Sequence, residues 1–260
     1  MNILFDNFKK QNIGKMFFSK FRTDVNSSPY DTLRKIINGE EAITFVDVGA
    51  NTGQTIDLVR KDFKNAKIYS FEPTPELVKQ LEDKYKKDTG VTISEKALAD
   101  FDGESTFYVS TYSPTNSMLI PDIELYTEIH SDRADDLKNL KEIIVPVTTL
   151  SNWYKANNFT ERIDVLKIDT QGTEFQVLKG AKDLLKDKIK IIILEVQFVN
   201  FYKGSPPYYK IFEFLYNHEF NFLDFFNNMR LNNLEIIESD LIFLKRDYFD
   251  LKYISDISEH

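Results

Sequence analysis

Cysteine is absent from the 260 residues, which excludes disulfides, thiol chemistry and any thiolate metal site. Such a chain fits a reducing compartment. No apolar run is long enough to cross a bilayer. Met1 to Arg22 also lacks the long apolar core and small-residue cleavage site of a secretory signal, so a cytoplasmic location is expected. There is no internal repeat and no Gly/Ser linker, and hence no reason to divide the main body into two domains. A basic excess is missing too: 41 acidic residues against 33 basic give a formal charge of -8. That balance argues against nucleic acid as a partner.

What is present is globular. The hydrophobic set makes up 42% of the chain and charged residues 28%, and 260 residues suffice for one full core. The 22 Phe and 13 Tyr imply aromatic-rich packing.

The most informative stretch is Phe45-Val-Asp-Val-Gly-Ala-Asn-Thr-Gly53, read with Phe71-Glu72-Pro73. A β-rich run, Ile43–Val48, stops at a glycine turn, and a helical pattern, Gln54–Asp62, follows. The next β run, Lys67–Phe71, closes on the carboxylate of Glu72. An open α/β sheet holds a nucleoside-like ligand in this order of strand, glycine turn, helix, strand and acid. Three residues separate Gly49 from Gly53, so the dinucleotide spacing Gly-x-Gly-x-x-Gly is not met, and no Lys-Ser/Thr follows to serve a triphosphate. Asp47 places negative charge just before the turn, which suits a ligand with a cationic centre better than a pyrophosphate. S-adenosylmethionine, with its sulfonium and ammonium groups, meets that condition.

Further along, Pro73 and Pro75 permit a helix start near Glu76 that runs to about Lys87. Val91–Glu95 reads as a third strand, and Ser105–Ser110 and Glu142–Val147 as two more. Between them Thr111–Leu140 has no steady period and reads as a long binding loop or lid near the ligand. It contains His130, a candidate base, although an exposed histidine without a function is the favoured reading. Ile163–Ile168 and Ile189–Leu194 are nearly continuous in Ile, Leu and Val, as buried parallel strands should be. They end in Asp169 and Glu195, on the side of the sheet where Gly49 and Glu72 lie. A helix is expected over Glu174–Leu185, another over Tyr208–Asn217, a strand over Phe220–Phe226, and a last antiparallel strand over Leu241–Leu244 at the sheet edge.

Residues 1–39 read as a helical extension in which Phe8, Phe17, Phe18 and Phe21 alternate with lysines. Packing on the main domain is the expected role, and peripheral contact with an anionic membrane is the alternative. The same Phe-rich face offers a surface for pairing subunits. The catalytic domain is expected over 40–246, and 247–260 reads as a polar tail.

The motifs as a series resemble a known family. Val46-Asp-Val-Gly-Ala-Asn-Thr-Gly53, Phe71-Glu-Pro-Thr-Pro75, Ala97-Leu-Ala-Asp-Phe-Asp-Gly-Glu104, Leu166-Lys-Ile-Asp-Thr-Gln-Gly-Thr-Glu174 and Val177-Leu-Lys-Gly-Ala181 are similar to the FkbM-type methyltransferases. The resemblance implies an S-adenosylmethionine-dependent O-methyltransferase for a sugar hydroxyl of a glycan or glycoconjugate. It also implies a Rossmann-like α/β fold, with seven mostly parallel strands, helices on both faces and a reversed last strand. Asp47, Gly49, Asn51, Thr52, Gly53, Glu72, Pro73, Ala97, Leu98 and Asp169 would then hold the cofactor, with Ala97 and Leu98 lying along the adenine and Asp100 an alternative there. Gln171 departs from the family, which usually has Glu at that position.

For the chemical step Asp169 is the first candidate, with Glu195 and His130 beside it. An ordinary aspartate is a weak base for a sugar hydroxyl. A closed cleft would strengthen it, or Asp169, Glu195 and the Gln171 oxygen would share a Mg2+ or Mn2+ ion that acidifies the hydroxyl. Two other readings stand beside this one. In the first, the acceptor is another small or lipid-linked molecule, methylated on N or O. In the second, the chain binds the cofactor but has an inactive acceptor site.

Overall fold

The structure is a computed structural model, and it describes residues 28–37, 42–130, 135, 137, 139–232 and 234–247. The lysine- and phenylalanine-bearing segment before residue 28 and the polar tail after 247 lie outside the described residues.

The chain opens with α1 (Pro29–Ile36), started by Ser28, whose hydroxyl accepts the Asp31 amide while the Asp31 carboxylate accepts the Ser28 amide in return. Then come β1 (Thr44–Val48), α2 (Gln54–Asp62), β2 (Lys67–Phe71), α3 (Pro75–Tyr85) and β3 (Val91–Ser94). The short β4 (Ala97–Leu98), β5 (Gly103–Val109), α4 (Ile123–Ile129) and β6 (Lys141–Thr148) follow. The second half contributes α5 (Leu150–Ala156), β7 (Ile163–Ile168), α6 (Glu174–Gly180), α7 (Lys182–Leu185) and β8 (Ile189–Gln197). It ends with α8 (Tyr209–Asn217), β9 (Phe220–Leu231) and β10 (Glu235–Lys245).

Seven strands form one sheet in the order β3-β2-β1-β7-β8-β10-β9. The first five pair in parallel, and β10 runs antiparallel to both its neighbours. Alternation along each strand sends its side chains to two cores. Phe45, Val165, Ile191, Ile193 and Ile242 pack with α1, α2 and α3 through Leu33, Ile36, Ile56, Val59 and Leu81. Val46, Val48, Leu166, Ile168, Ile192 and Leu194 pack on the opposite face with α5 to α8. Burying each such side chain stabilises the fold by roughly 1.5–3 kcal/mol, and the apolar runs of β7 and β8 are fully buried on both faces because they are central.

Two expectations change. The last strand is not at the edge: β10 is inserted between β8 and β9, and β9 forms the border. The apolar run Leu241–Leu244 is buried for that reason, with partners on both sides. The helix over Glu174–Leu185 is split at Ala181, next to the point where Gly180 packs on the Ala99 carbonyl. The further strands β5 and β6 build, with β4, a separate three-stranded sheet in the order β4-β6-β5.

Candidate active site

A cavity of about 390 Å3 opens at the C-terminal ends of β1, β2, β7 and β8, within the size range of small-molecule sites. Gly49, Ala50 and Asn51 form one wall, Glu72 and Pro73 a second, and Lys96, Ala97 and Leu98 a third. Asp169, Thr170, Gln171 and Glu195 form the end where the second half of the sheet begins. The long connection after β5 covers it with Tyr112, Ser113, Pro114, Thr115 and Asn116, and the Ser113 hydroxyl donates to the Asn51 side-chain oxygen at 2.8 Å. His130 also lines the cavity, its ring 4.7 Å from that of Tyr126 and 5.5 Å from that of Phe201.

The glycine turn is anchored to β2. The amides of Gly49 and Ala50 both donate to the Phe71 carbonyl at 3.0 Å. Gly49 has φ 89° and Asn51 φ 47°. A Cβ on Gly49 would lie 1.8 Å from the Asp169 carbonyl oxygen, so only glycine lets the ends of β1 and β7 come this close.

Glu72 is buried, and burial pushes its carboxyl up, although hydrogen bonds from Thr74 and Asn51 favour the ion. One oxygen accepts the Asn51 amide at 2.9 Å and the other the Thr74 amide at 3.0 Å. A carboxylate has about four acceptor sites, which leaves room for two further donors facing the cavity.

Beneath the floor lies a buried ion group that composition does not reveal. Lys167 donates to Asp169 Oδ2 at 3.1 Å and stands 3.8 Å from Asp47 Oδ1. Burial pulls the Lys167 ammonium down, but Asp169, Asp47 and Tyr30 outweigh it and hold it above the ordinary lysine value. Asp47 is fully buried, and burial raises its carboxyl. It therefore acts from below the site through Lys167 and does not line the cavity.

Thr52 and Gly53 are likewise outside the lining, on the far side of the turn, where the Thr52 carbonyl accepts from Lys84 and the Gly53 carbonyl from Tyr85. Asp100 does not line the cavity either and pairs with Lys179. Of the residues expected to hold a cofactor, Gly49, Asn51, Glu72, Pro73, Ala97, Leu98 and Asp169 share the cavity.

Gln171 ties the chemical end together, in a way that departs from expectation. Its side-chain nitrogen donates to Asp169 Oδ1 at 3.0 Å and to Glu195 Oε1 at 2.6 Å. Its oxygen is turned away and accepts from the Tyr202 hydroxyl at 3.0 Å and from Gln197 at 3.3 Å. The three oxygens expected to share a cation do not converge, because an N–H donor lies between the two carboxylates. Among the described residues no cluster of three or more His, Cys, Asp or Glu side chains fits a metal ion. The residues present do not fit a divalent metal.

Two carboxylates at this end come from a strand that sequence reading did not connect with the site: Glu238, which lines the cavity, and Asp240, which is opposite Glu195 in the sheet register. Glu235-Ile-Ile-Glu-Ser-Asp240 leads into the apolar Leu241–Leu244, and the acids in that lead-in were the available signal. Lys167 offered a clearer one, as a lysine between Leu166 and Ile168 in a buried strand. Burial and the surrounding carboxylates push Glu195 well above the ordinary range and Glu238 up to about 7. Asp240 and Glu174 are raised by burial as well.

These shifts set a pH dependence. A carboxyl raised in the folded chain contributes stability that is full below its unfolded value and is lost as pH rises through its folded value. For Glu238 that window runs from 4.5 to about 7. The thermal midpoint is therefore expected to be higher at about pH 5.5 than at about pH 7.5. A midpoint that rises across this interval in a scanning calorimeter would contradict the assignment.

The sheet order, the glycine turn after β1 and the acid after β2 together define a class I methyltransferase fold. Residues 47–223 match the model of the Methyltransferase FkbM domain, and the chain belongs to that family. Methyltransferase sdnD of Sordaria araneosa is 28% identical over 167 residues, which cover 58% of this chain and 64% of that protein. Methyltransferase 1 of Beauveria bassiana (strain ARSEF 2860) is 24% identical over 157 residues, covering 58% and 63%. The chain thus spans slightly less than two thirds of the length of these relatives. The crystal structure of Methyltransferase FkbM from Methylobacillus flagellatus KT superposes with a TM-score of 0.52 and 12% identity. The match covers 84% of this chain and 48% of that one, a likeness of fold. No helix among the described residues is long and apolar enough to cross a membrane.

Proposed function

We propose that this chain binds S-adenosylmethionine in the cavity and passes its methyl group to a hydroxyl of a sugar in a glycan or glycoconjugate. The observation that carries the reading is Glu72, fixed by two backbone amides with acceptor sites left over for a ribose diol. Bound there, the cofactor supplies an electrophilic methyl group on a positively charged sulfur. The lining suits that charge, since the carboxyl groups of Glu72, Asp169 and Glu195 face the cavity. The chain would position the two reactants with the acceptor oxygen in line with the methyl group, the main source of rate in a displacement between bound partners.

Asp169 keeps a role as the carboxylate beside the reacting atoms, but both its oxygens are engaged, one by Lys167 and one by Gln171. That arrangement makes it a fixed negative charge and removes it as the preferred proton acceptor. Polar groups around the acceptor end, including Gln171, Tyr126 and His130, suit a hydroxylated ring. A cytoplasmic site of action fits a chain without cysteine.

Hydrogen bonds to a charged partner contribute roughly 1.5–3 kcal/mol each. Glu72→Gln is therefore expected to weaken S-adenosylmethionine binding by at least about tenfold, since ~1.4 kcal/mol is a factor of ten. Calorimetry showing unchanged affinity in a folded variant would overturn the site. The acceptor class is tested by offering labelled S-adenosylmethionine to glycan, lipid and protein fractions and weighing the products. Methylation confined to protein or to non-glycosylated lipid would refute the sugar assignment.

A further inference from the structure

Resting on the methyl-transfer reading, we infer that Glu238, on the strand inserted between β8 and β9, is the catalytic residue that takes the proton of the acceptor hydroxyl. The carboxylates at this end of the cavity differ in how fully they are engaged. Glu174 is turned to its own loop, accepting the amides of Thr170 at 2.9 Å and Gly172 at 3.1 Å. Asp169 is held by an ammonium and an amide, and protonating it would break the ion pair with Lys167. Glu195 accepts the Gln171 amide at 2.6 Å. Glu238 has one long hydrogen bond, from Gln197 at 3.5 Å, and it lines the cavity together with Met229, its neighbour across the β9–β10 pair.

The backbone supports the same assignment. Strand register shifts on both sides of Glu238, between Ile236 and Glu238 and again between Glu238 and Asp240. Asn227 on the facing strand has φ 51°. Irregularities of this kind re-aim a side chain, and they recur next to active sites. Here they lie in the strand that delivers Glu238 to the cavity.

The groups around Glu238 give it a useful proton affinity. Asp169 and Glu174 face it from the segment after β7, Glu195 and Gln197 from β8, Tyr202 from the loop after β8, and Asp240 from its own strand. Burial is the largest influence, followed by the charge of Asp169, and the carboxyl titrates at about 7. A base of that strength is ionised in part at neutral pH and still takes a proton readily. Burial and the same carboxylates push Glu195 well above the ordinary range too. As the acceptor oxygen bonds to the methyl carbon, the carbon–sulfur bond breaks and its electron pair stays on sulfur. The hydroxyl proton goes to the Glu238 carboxylate, which later releases it to water.

Four measurements test this together. Calorimetry with S-adenosylmethionine on the wild type and on Glu238→Gln should give affinities within a few-fold of one another. Turnover of Glu238→Gln on whichever glycan fraction the wild type methylates should fall by about a hundredfold or more. The rise of wild-type kcat/KM with pH through about 7 should disappear in Glu238→Gln and persist, displaced, in Glu238→Asp. Carbon-13 spectra of glutamate-labelled protein should show a carboxyl titrating in the same range, absent from Glu238→Gln; this readout needs no acceptor. Should Glu238→Gln fail to fold, the wild-type titration and the Glu238→Asp profile decide the question. Normal turnover with an unchanged pH profile in Glu238→Gln would overturn the inference and leave the methyl-transfer reading standing. Absence of S-adenosylmethionine binding in the wild type would bring down that reading, and this assignment with it.

Discussion

A Lys167→Met chain is expected to lose about 3–5 kcal/mol of stability, the cost of leaving a buried charge without its partner. Lys167 is the next-to-last residue of β7, buried, between Asp47 and Asp169. Asp47 has no exposure to solvent and its Oδ1 has no hydrogen-bond partner, so the ammonium is what offsets its charge. The Ser70 hydroxyl reaches the other oxygen at 3.4 Å, a weak bond. Without the lysine, Asp47 must either remain an unpaired ion or take up a proton. Urea unfolding should show a lower midpoint with an unchanged slope. Replacing Asp47 by Leu in the same chain should recover much of the loss, because removing both charges leaves only packing to repair. A loss below about 1 kcal/mol in the single variant would mean that the pair contributes no more than a surface salt bridge does.

The second large effect is expected at Gly49. Alanine there meets two penalties, a left-handed backbone and a collision with the Asp169 carbonyl. Gly204 separates them, since its φ is 84° and nothing lies within 4 Å of where its Cβ would be. Gly204→Ala should cost about 1–2 kcal/mol, the strain of the left-handed conformation alone. Gly49→Ala should cost clearly more, about 3 kcal/mol or above. S-adenosylmethionine binding should fall with it, because the collision pushes the glycine turn away from Asp169. Equal losses in the two variants, measured by chemical unfolding, would show that the strands part without strain and that the close approach is not required.

Much of this was legible in the chain. The bounds of β1, α2 and β2 follow from local pattern, because the apolar run, the turn glycines and the helical period all fall within a few residues. The same locality made Gly49, Glu72 and Asp169 readable, each at the end of a strand whose direction is set by its neighbours. Glu238 was not readable for the opposite reason. Its place depends on β10 passing over the edge of β8 before β9 does, a long-range choice that no local period encodes. Gln171 was read as an oxygen donor from its residue type. Its nitrogen faces the carboxyl groups of Asp169 and Glu195 and its oxygen the Tyr202 hydroxyl, 31 residues away in the chain. The connection Thr111–Leu140 showed only the absence of a period; of its described residues Tyr112, Ser113, Pro114, Thr115 and Asn116 cover the cavity, and Ile123–Ile129 is a helix that the pattern did not show.

The insertion of β10 also bears on the order in which the molecule is assembled. Every parallel pairing, from β3 across to β8, can form from residues that precede Gln197. Until Glu235–Lys245 arrives, however, the outer edge of β8 has no partner, and β9 has nothing to lie against. The half-built sheet therefore presents an apolar, unpaired border, the kind of surface on which chains stick to one another. The strand that removes this hazard also brings Glu238 to the cavity, so the proposed base arrives only with the segment that seals the sheet. Partly assembled molecules would have their glycine turn and Glu72 in place, and so be able to capture cofactor, before they could use it.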